Sequence, residues 1–326
     1  MNKFVKYTLF VLVLLVVVVG ALLSYVKFAL PDVGEAENLK IDYTQERIGR
    51  GKYLANSVSV CMDCHSTRDW STFSGPLKEG TLGKGGERFD HDMGLPGVFL
   101  SKNITPHGIS RYTDGELFRV ITTGVTKEGR AMFPLMPYPY YGRMDREDIY
   151  SIISYIRSIE SVSNEVPPSV ADFPINFIIN TMPAKAAFTE KPSPNDQLAY
   201  GAYMTNAAGC AECHTQVDKG AIIREVIFGG GREFKFPGGT AVYSSNISPD
   251  EATGIGSWTE DAFVQRFKMF TDSSYTLPPV AKGEFQTIMP WTMYARMTPE
   301  DLKAIFSYLK SVKPVSNKVT KFVAAE

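Results

Sequence analysis

Two pentapeptides, Cys61-Met62-Asp63-Cys64-His65 and Cys210-Ala211-Glu212-Cys213-His214, hold all four cysteines of the chain and two of its four histidines. Two thiols three positions apart can form thioethers to the two vinyl groups of one porphyrin. The adjacent imidazole is then held under the ring, where its nitrogen reaches the iron, and this spacing is that of c-type haem attachment. Zinc is the competing reading of Cys-x-x-Cys with a neighbouring His. Zinc wants a fourth ligand and does not require a His directly after the second Cys, yet the chain places one there twice. With every cysteine in a cluster, no disulfide scaffold is expected, and a chain of 326 residues does not need one.

An electron-transfer haem needs a ligand on its far face, and a Met thioether there raises the reduction potential relative to a second His. Met136-Pro137-Tyr138 and Met289-Pro290-Trp291 lie 71 and 75 residues beyond His65 and His214. Met136 and Met289 are therefore the expected axial partners of His65 and His214, with Met132 and Met293 as nearest rivals. Met144 and Met297 also match each other, but they fall at a helix start and are expected to pack there. His91 and His107, the remaining histidines, are the alternative distal ligands of the first site.

The chain reads as one unit written twice. Gly51-Lys52-Tyr53 matches Gly201-Ala202-Tyr203, Asn103-Ile104-Thr105-Pro106 matches Asn246-Ile247-Ser248-Pro249, and Arg143-Met144 matches Arg296-Met297. Ile153-Ser154-Tyr155-Ile156 matches Phe306-Ser307-Tyr308-Leu309. The offsets are 149 at the cysteines, 143 at the Asn and 153 at the Met, so loops differ in length while the frame is kept. Haem propionates attract Arg, indole N–H and amide donors. Three matched pairs, Arg143 with Arg296, Tyr138 with Trp291 and Asn103 with Asn246, are accordingly candidate pocket residues.

Helices are expected over Gln45–Ser57 and Pro194–Ala207, leading into each cysteine turn. Closing helices are expected after Asp145 and after Thr298, where Thr298-Pro299-Glu300-Asp301 supplies a capping hydroxyl, Pro at the first helical position and acids in the first turn. Ile149, Ile152, Ile153 and Ile156, like Leu302, Ile305, Phe306 and Leu309, fall on one helical face. Gly51 and Gly201 would let the closing helices come close, having no side chain to hold them off. The Gly-, Pro-, Asn- and Thr-rich stretches between are expected to be loops rather than sheet. Ser161–Asn195 carries Pro167, Pro168, Pro174, Pro183, Pro192 and Pro194, which excludes a long helix. Its apolar middle, Phe173–Met182, predicts a strap packed along a haem pocket or the domain interface, with a short helix at the membrane surface as the alternative.

From Tyr7 to Val26 no residue is charged, and fourteen of the twenty are Leu, Val or Phe. As a helix this run spans about 30 Å, the thickness of a bilayer's hydrocarbon core. Lys3, Lys6 and Lys27 flank it, which sets the basic end inside. It is longer than a signal-peptide core and lacks a small-x-small cleavage site, so a retained anchor is expected. The net charge of −1 gives no support for a nucleic-acid partner. The expected fold is mainly α: anchor 1–30, tether 31–44, first haem domain 45–160, Pro-rich linker 161–195, and second haem domain with C-terminal tail 196–326.

The Cys-x-x-Cys-His motifs, downstream Met-Pro and paired terminal helices resemble class I cytochrome c. The duplication and the Asn-Ile-Thr/Ser-Pro segments resemble the multi-haem cytochrome c subunits of membrane-bound alcohol, gluconate and aldehyde dehydrogenases, over roughly residues 45–316. Those subunits commonly carry three haems, whereas this chain offers two motifs, and theirs is often a C-terminal membrane element. The resemblance implies two covalently attached haem c groups, with His65 and Met136 on one iron and His214 and Met289 on the other. It implies electron transfer rather than substrate chemistry, among membrane or periplasmic redox proteins: a dehydrogenase, a quinol-oxidising complex or a terminal oxidase. The haem domains would stand on the outer face of a bacterial cytoplasmic membrane. The alternative is a peroxidase-like dihaem enzyme with one reactive haem.

Overall fold

The computed structural model describes residues 2–325. Its first element is the helix Lys3–Phe28, which begins and ends just beyond the uncharged run and has no buried residue. By length and composition it could cross a membrane or serve as a signal sequence.

The rest of the chain is mostly helical and repeats one order of elements. In the first half the helix Gln45–Tyr53 runs through a π-helical stretch, Leu54–Val58, into the helical turn Cys61–Cys64. The half closes with Arg146–Ser158. In the second half Gln197–Ala207 leads into Cys210–Cys213, and Pro299–Ser311 closes. Caps hold the closing helices where expected: the Asp145 carboxylate accepts from Glu147 N–H, and the Thr298 hydroxyl from Asp301 N–H.

Each opening helix crosses its closing helix at a glycine. A Cβ on Gly51 would sit 1.8 Å from the Ser151 carbonyl oxygen, and one on Gly201 would sit 2.0 Å from that of Ala304. Ile149, Ile152, Ile153, Leu302, Ile305 and Leu309 are buried behind these crossings, each contributing about 1.5–3 kcal/mol of transfer free energy. Met144 and Met297 pack at the helix starts, both almost fully buried.

The expectation of plain loops between the helices is corrected. Asp114–Thr123 and Glu260–Lys268 are helices. The first has a full capping box, with Thr113 and Glu116 each satisfying the other's backbone N–H. Small antiparallel sheets are present too. Gly97–Leu100 pairs with Arg88–Phe89 and with Val170–Ala171, and Ala241–Tyr243 pairs with Glu233–Lys235 and with Phe322–Val323. In both cases the chain beyond the closing helix returns to edge a strand of its own half.

One hydrophobic core runs through both halves, from Leu54 and Met62 to Met204 and Met297. The halves are also joined by crossed polar contacts. Tyr203 donates its hydroxyl proton to Asp148 (2.7 Å) and accepts from Asp145 N–H. Tyr53, at the matching position of the first half, donates to Asp301 (2.5 Å) and accepts from Thr298 N–H.

Candidate functional site

A single helical turn places Cys61 with Cys64, and Cys210 with Cys213, on one face of the chain, all four as free thiols. The turn is entered through a left-handed residue, Val60 (φ 42°) in the first half and Gly209 (φ 65°) in the second. Burial pushes the Cys61 and Cys210 thiols up to about 12, so they stay protonated at neutral pH.

The histidines are oriented identically. His65 Nδ1 lies 2.6 Å from the Lys102 carbonyl oxygen, and His214 Nδ1 lies 2.7 Å from that of Ser245. A carbonyl only accepts, so Nδ1 carries the proton and Nε2 keeps the lone pair a metal requires. Burial lowers both imidazole pKa values, outweighing these carbonyls, which favours the neutral ring. Gly85 (φ +69°) and Gly230 (φ +68°) donate to the His65 and His214 carbonyls. A Cβ on either would come within 2.5 Å of the carbonyl carbon of Lys102 or Ser245, whose oxygens fix the histidines. Only glycine permits that approach.

Cys61, Cys64, His65, Met136 and Asn103 line one large open cavity of about 3570 Å³ that continues past Cys213, Ile288, Pro290 and Tyr294 of the second half. Met289 is half-buried against the core, as is Cys210, and neither lines that cavity. In the first half this donor set fits haem c, with two unpaired thiols, one imidazole with a free Nε2 and a cavity bordering all three, whereas of the second set Cys213 alone borders the cavity. Among the described residues no three His, Cys, Asp or Glu side chains are gathered to hold a metal ion by themselves.

The other expected site residues divide. Asn103 is committed to protein: its Nδ2 donates to the Val162 and Asn164 carbonyls, and its Oδ1 accepts from Thr105. Asn246 does the same with Val315, Thr253 and Ser248. Both tie down the segment leaving a closing helix. Tyr138 is buried against Gly124, and Trp291 stacks on Phe270 with Arg266 over its ring. Arg143 and Arg296 are exposed, and Arg143 alone borders the cavity. His91 pairs with Asp172 and His107 with Glu165, both at the surface.

Several groups around the turns escape a reading by spacing. Tyr141 and Tyr294 are buried and donate to the Ser59 and Ala208 carbonyls, just before each cysteine turn. Their signal is an offset of 153, that of the Met pair. Asn164 and Asn317, in matching Val-Ser-Asn tripeptides, donate to the Lys84 and Gly229 carbonyls. Arg68 pairs with Asp63 inside the first turn and donates to the Ser74 carbonyl, while Arg232 pairs with Glu212 inside the second. Glu212 also accepts from Tyr140 of the first half. Ser74 and Gln286 bind each other across the halves, which no local pattern announces.

Residues 198–313 match the family model described as Cytochrome c. The chain is 28% identical over 286 residues to "Alcohol dehydrogenase (quinone), cytochrome c subunit" of Gluconacetobacter polyoxogenes, covering 82% of this chain and 56% of that one. It is 25% identical over 283 residues to "Gluconate 2-dehydrogenase cytochrome c subunit" of Pantoea cypripedii, with 81% and 59% covered. It is 25% identical over 164 residues to "Diheme cytochrome c-type" of Cereibacter sphaeroides, with 48% and 53% covered. The chain thus spans little more than half the length of these curated relatives. A cytochrome c domain implies covalently bound haem c; residues 198–313 match the model of such a domain, and the chain is similar to the cytochrome c subunits of dehydrogenases.

Proposed function

We propose that the chain is a membrane-anchored dihaem c-type cytochrome that passes electrons between a dehydrogenase and other redox partners at the outer face of the cytoplasmic membrane. Residues 1–30 form the anchor, 31–44 a tether, 45–160 and 196–326 the haem domains, and 161–195 the strap between them. Haem iron, when bound, supplies a one-electron couple. Cys61, Cys64, Cys210 and Cys213 would hold the porphyrins, with His65 and Met136 at one iron and His214 and Met289 at the other.

One observation carries this reading: the same support, a histidine fixed by a backbone carbonyl behind a left-handed glycine, occurs twice, each time beside a pair of free thiols. The residues' part is positional. When haem is bound, the fixed His65 and His214 imidazoles and the packed core around them would hold the ligands in place, so that little has to move on electron transfer. The dehydrogenase partner rests on the relatives' names.

Haem content per polypeptide, with a redox titration followed by resonance Raman, tests the proposal. Two haems, both low-spin and six-coordinate at neutral pH, are expected. One haem, or a high-spin five-coordinate centre, overturns it. Detergent extraction and native mass then distinguish a free carrier, a lone species of about the chain's 36.1 kDa plus haem, from a subunit fixed in a larger complex.

A further inference from the structure

Within Val170–Met182 the only charged residue is Asp172, and it is turned to His91 at 2.6 Å. Two short helical turns, Ile175–Ile178 and Ile179–Thr181, follow. Both pack against the C-terminal end of the Lys3–Phe28 helix, and Asn180 donates its side-chain N–H to the Val26 carbonyl (3.3 Å). Ile175, Phe177 and Ile179 face the cavity. Phe173 and Ile178 remain in solvent, 80% and 43% exposed, as does Phe28 at 81%.

Exposed Phe and Ile are ordinary when scattered singly, but contiguous apolar surface marks an interaction site. Here the position says which one. Val26 is the last residue of the uncharged run and Lys27 the first charge beyond it. A bilayer around that run therefore has its headgroup boundary at Val26–Phe28, the level at which Asn180 is hydrogen-bonded. Surface apolar segments at that level sink about 5–10 Å into the boundary between headgroups and acyl chains.

We propose that the Val170–Met182 strap lies in the outer headgroup boundary of the bilayer entered by Lys3–Phe28, with Phe28, Phe173 and Ile178 as its lipid-facing side chains. This inference rests on the anchor assigned under the proposed function. The strap would fix the body's tilt on the membrane and hold the cavity of the first site towards the lipid surface.

The test uses the full haem-loaded chain in nanodiscs of phosphatidylcholine and phosphatidylglycerol. A benzophenone amino acid is placed at Phe173, at Ile178 or at Leu15 inside the helix, and photo-adducts are read by mass. Lipid adducts at Phe173 and Ile178 in yields comparable to Leu15 are expected. Lipid adducts at Leu15 with none at Phe173 and Ile178 overturn the strap's placement and leave the anchor standing. Adducts to protein in place of lipid at Phe173 also overturn it. No lipid adduct at any position overturns the anchor and the strap together.

Discussion

The Ser74 hydroxyl donates to the Met289 carbonyl (2.7 Å) and accepts from Trp291 N–H (3.0 Å), so a loop of the first half grips the Met-Pro loop of the second from both sides. Gln286 completes the grip, accepting from Ser74 N–H and donating to the Trp70 and Thr72 carbonyls. Arg68 supports the grip from behind, joining the Ser74 carbonyl to Asp63 in the first cysteine turn. Among the described residues Met136 has no such partner in the second half, although Tyr140, four residues on, reaches Glu212.

Ser74→Ala removes both bonds in a buried setting, a loss of about 1–3 kcal/mol to the local arrangement. The expected outcome is a lower reduction potential and a weakened Met-to-iron charge-transfer band for one haem only. An optical redox titration checks this. Equal shifts at both haems, or none, would show that Ser74 does not position Met289.

Exchanging the thioethers for imidazoles gives a complementary expectation. Met136→His and Met289→His each move a different wave of the titration to lower potential, since His in place of Met favours the oxidised iron. The double variant moves both. A single variant that leaves both waves in place removes that Met from the ligand set.

Gly51→Ala and Gly201→Ala drive a methyl into helix backbone rather than a movable side chain. Overpacking costs about 1–3 kcal/mol and more where the neighbour cannot yield, so sharply reduced yields of haem-stained protein are expected from either. Gly49, two residues earlier with nothing within 4 Å of its Cβ position, is the control. Gly49→Ala stabilises by about 0.5–1 kcal/mol. Thermal melts rank the three.

Asp148 is almost fully buried and is met by Arg50, Tyr203 and Lys191. Burial alone would raise its pKa, but the Arg50 hydrogen bonds and charge, with Tyr203 and Lys191, outweigh burial and hold the carboxyl below its ordinary value. A carboxyl lowered on folding adds stability above the unfolded value, about 3.9, and that contribution is lost as pH falls through the folded value. Asp148→Asn leaves Arg50 facing a neutral partner and is expected to lose about 3–5 kcal/mol at pH 7. The gap from the unmodified chain should narrow on acidification. A constant gap from pH 7 to pH 3 would contradict the assignment.

The ends of each half were readable because local rules decide them. Asp145 and Thr298 cap, Gly51 and Gly201 admit a close crossing, and the Ile and Leu faces follow the helical period. The middles were harder. Glycine and proline content suggested loops, yet Thr113 with Glu116 and Thr259 ahead of Glu260 and Asp261 are start signals of the same kind, and both begin helices. The sites show a similar division. The cysteine turns and the Met-Pro pairs are contiguous motifs. Ser74, Gln286, Arg68 and Glu212 matter through contacts that join distant parts of the chain, and one sequence does not record proximity. Asn103 and Asn246 make equivalent contacts, and their amides are consumed by the segments they fasten.

The crossed pairs, Tyr203 with Asp148 and Tyr53 with Asp301, have the form of a contact made by one surface with its own image, as in a two-fold dimer. Either half cut free would present a tyrosine and an aspartate ready to meet those of an identical copy. The strap then reads as a covalent link across what is geometrically a homodimer. The link makes the two copies distinguishable, and among the described residues the grip of Ser74 is found on one side without its mirror image on the other.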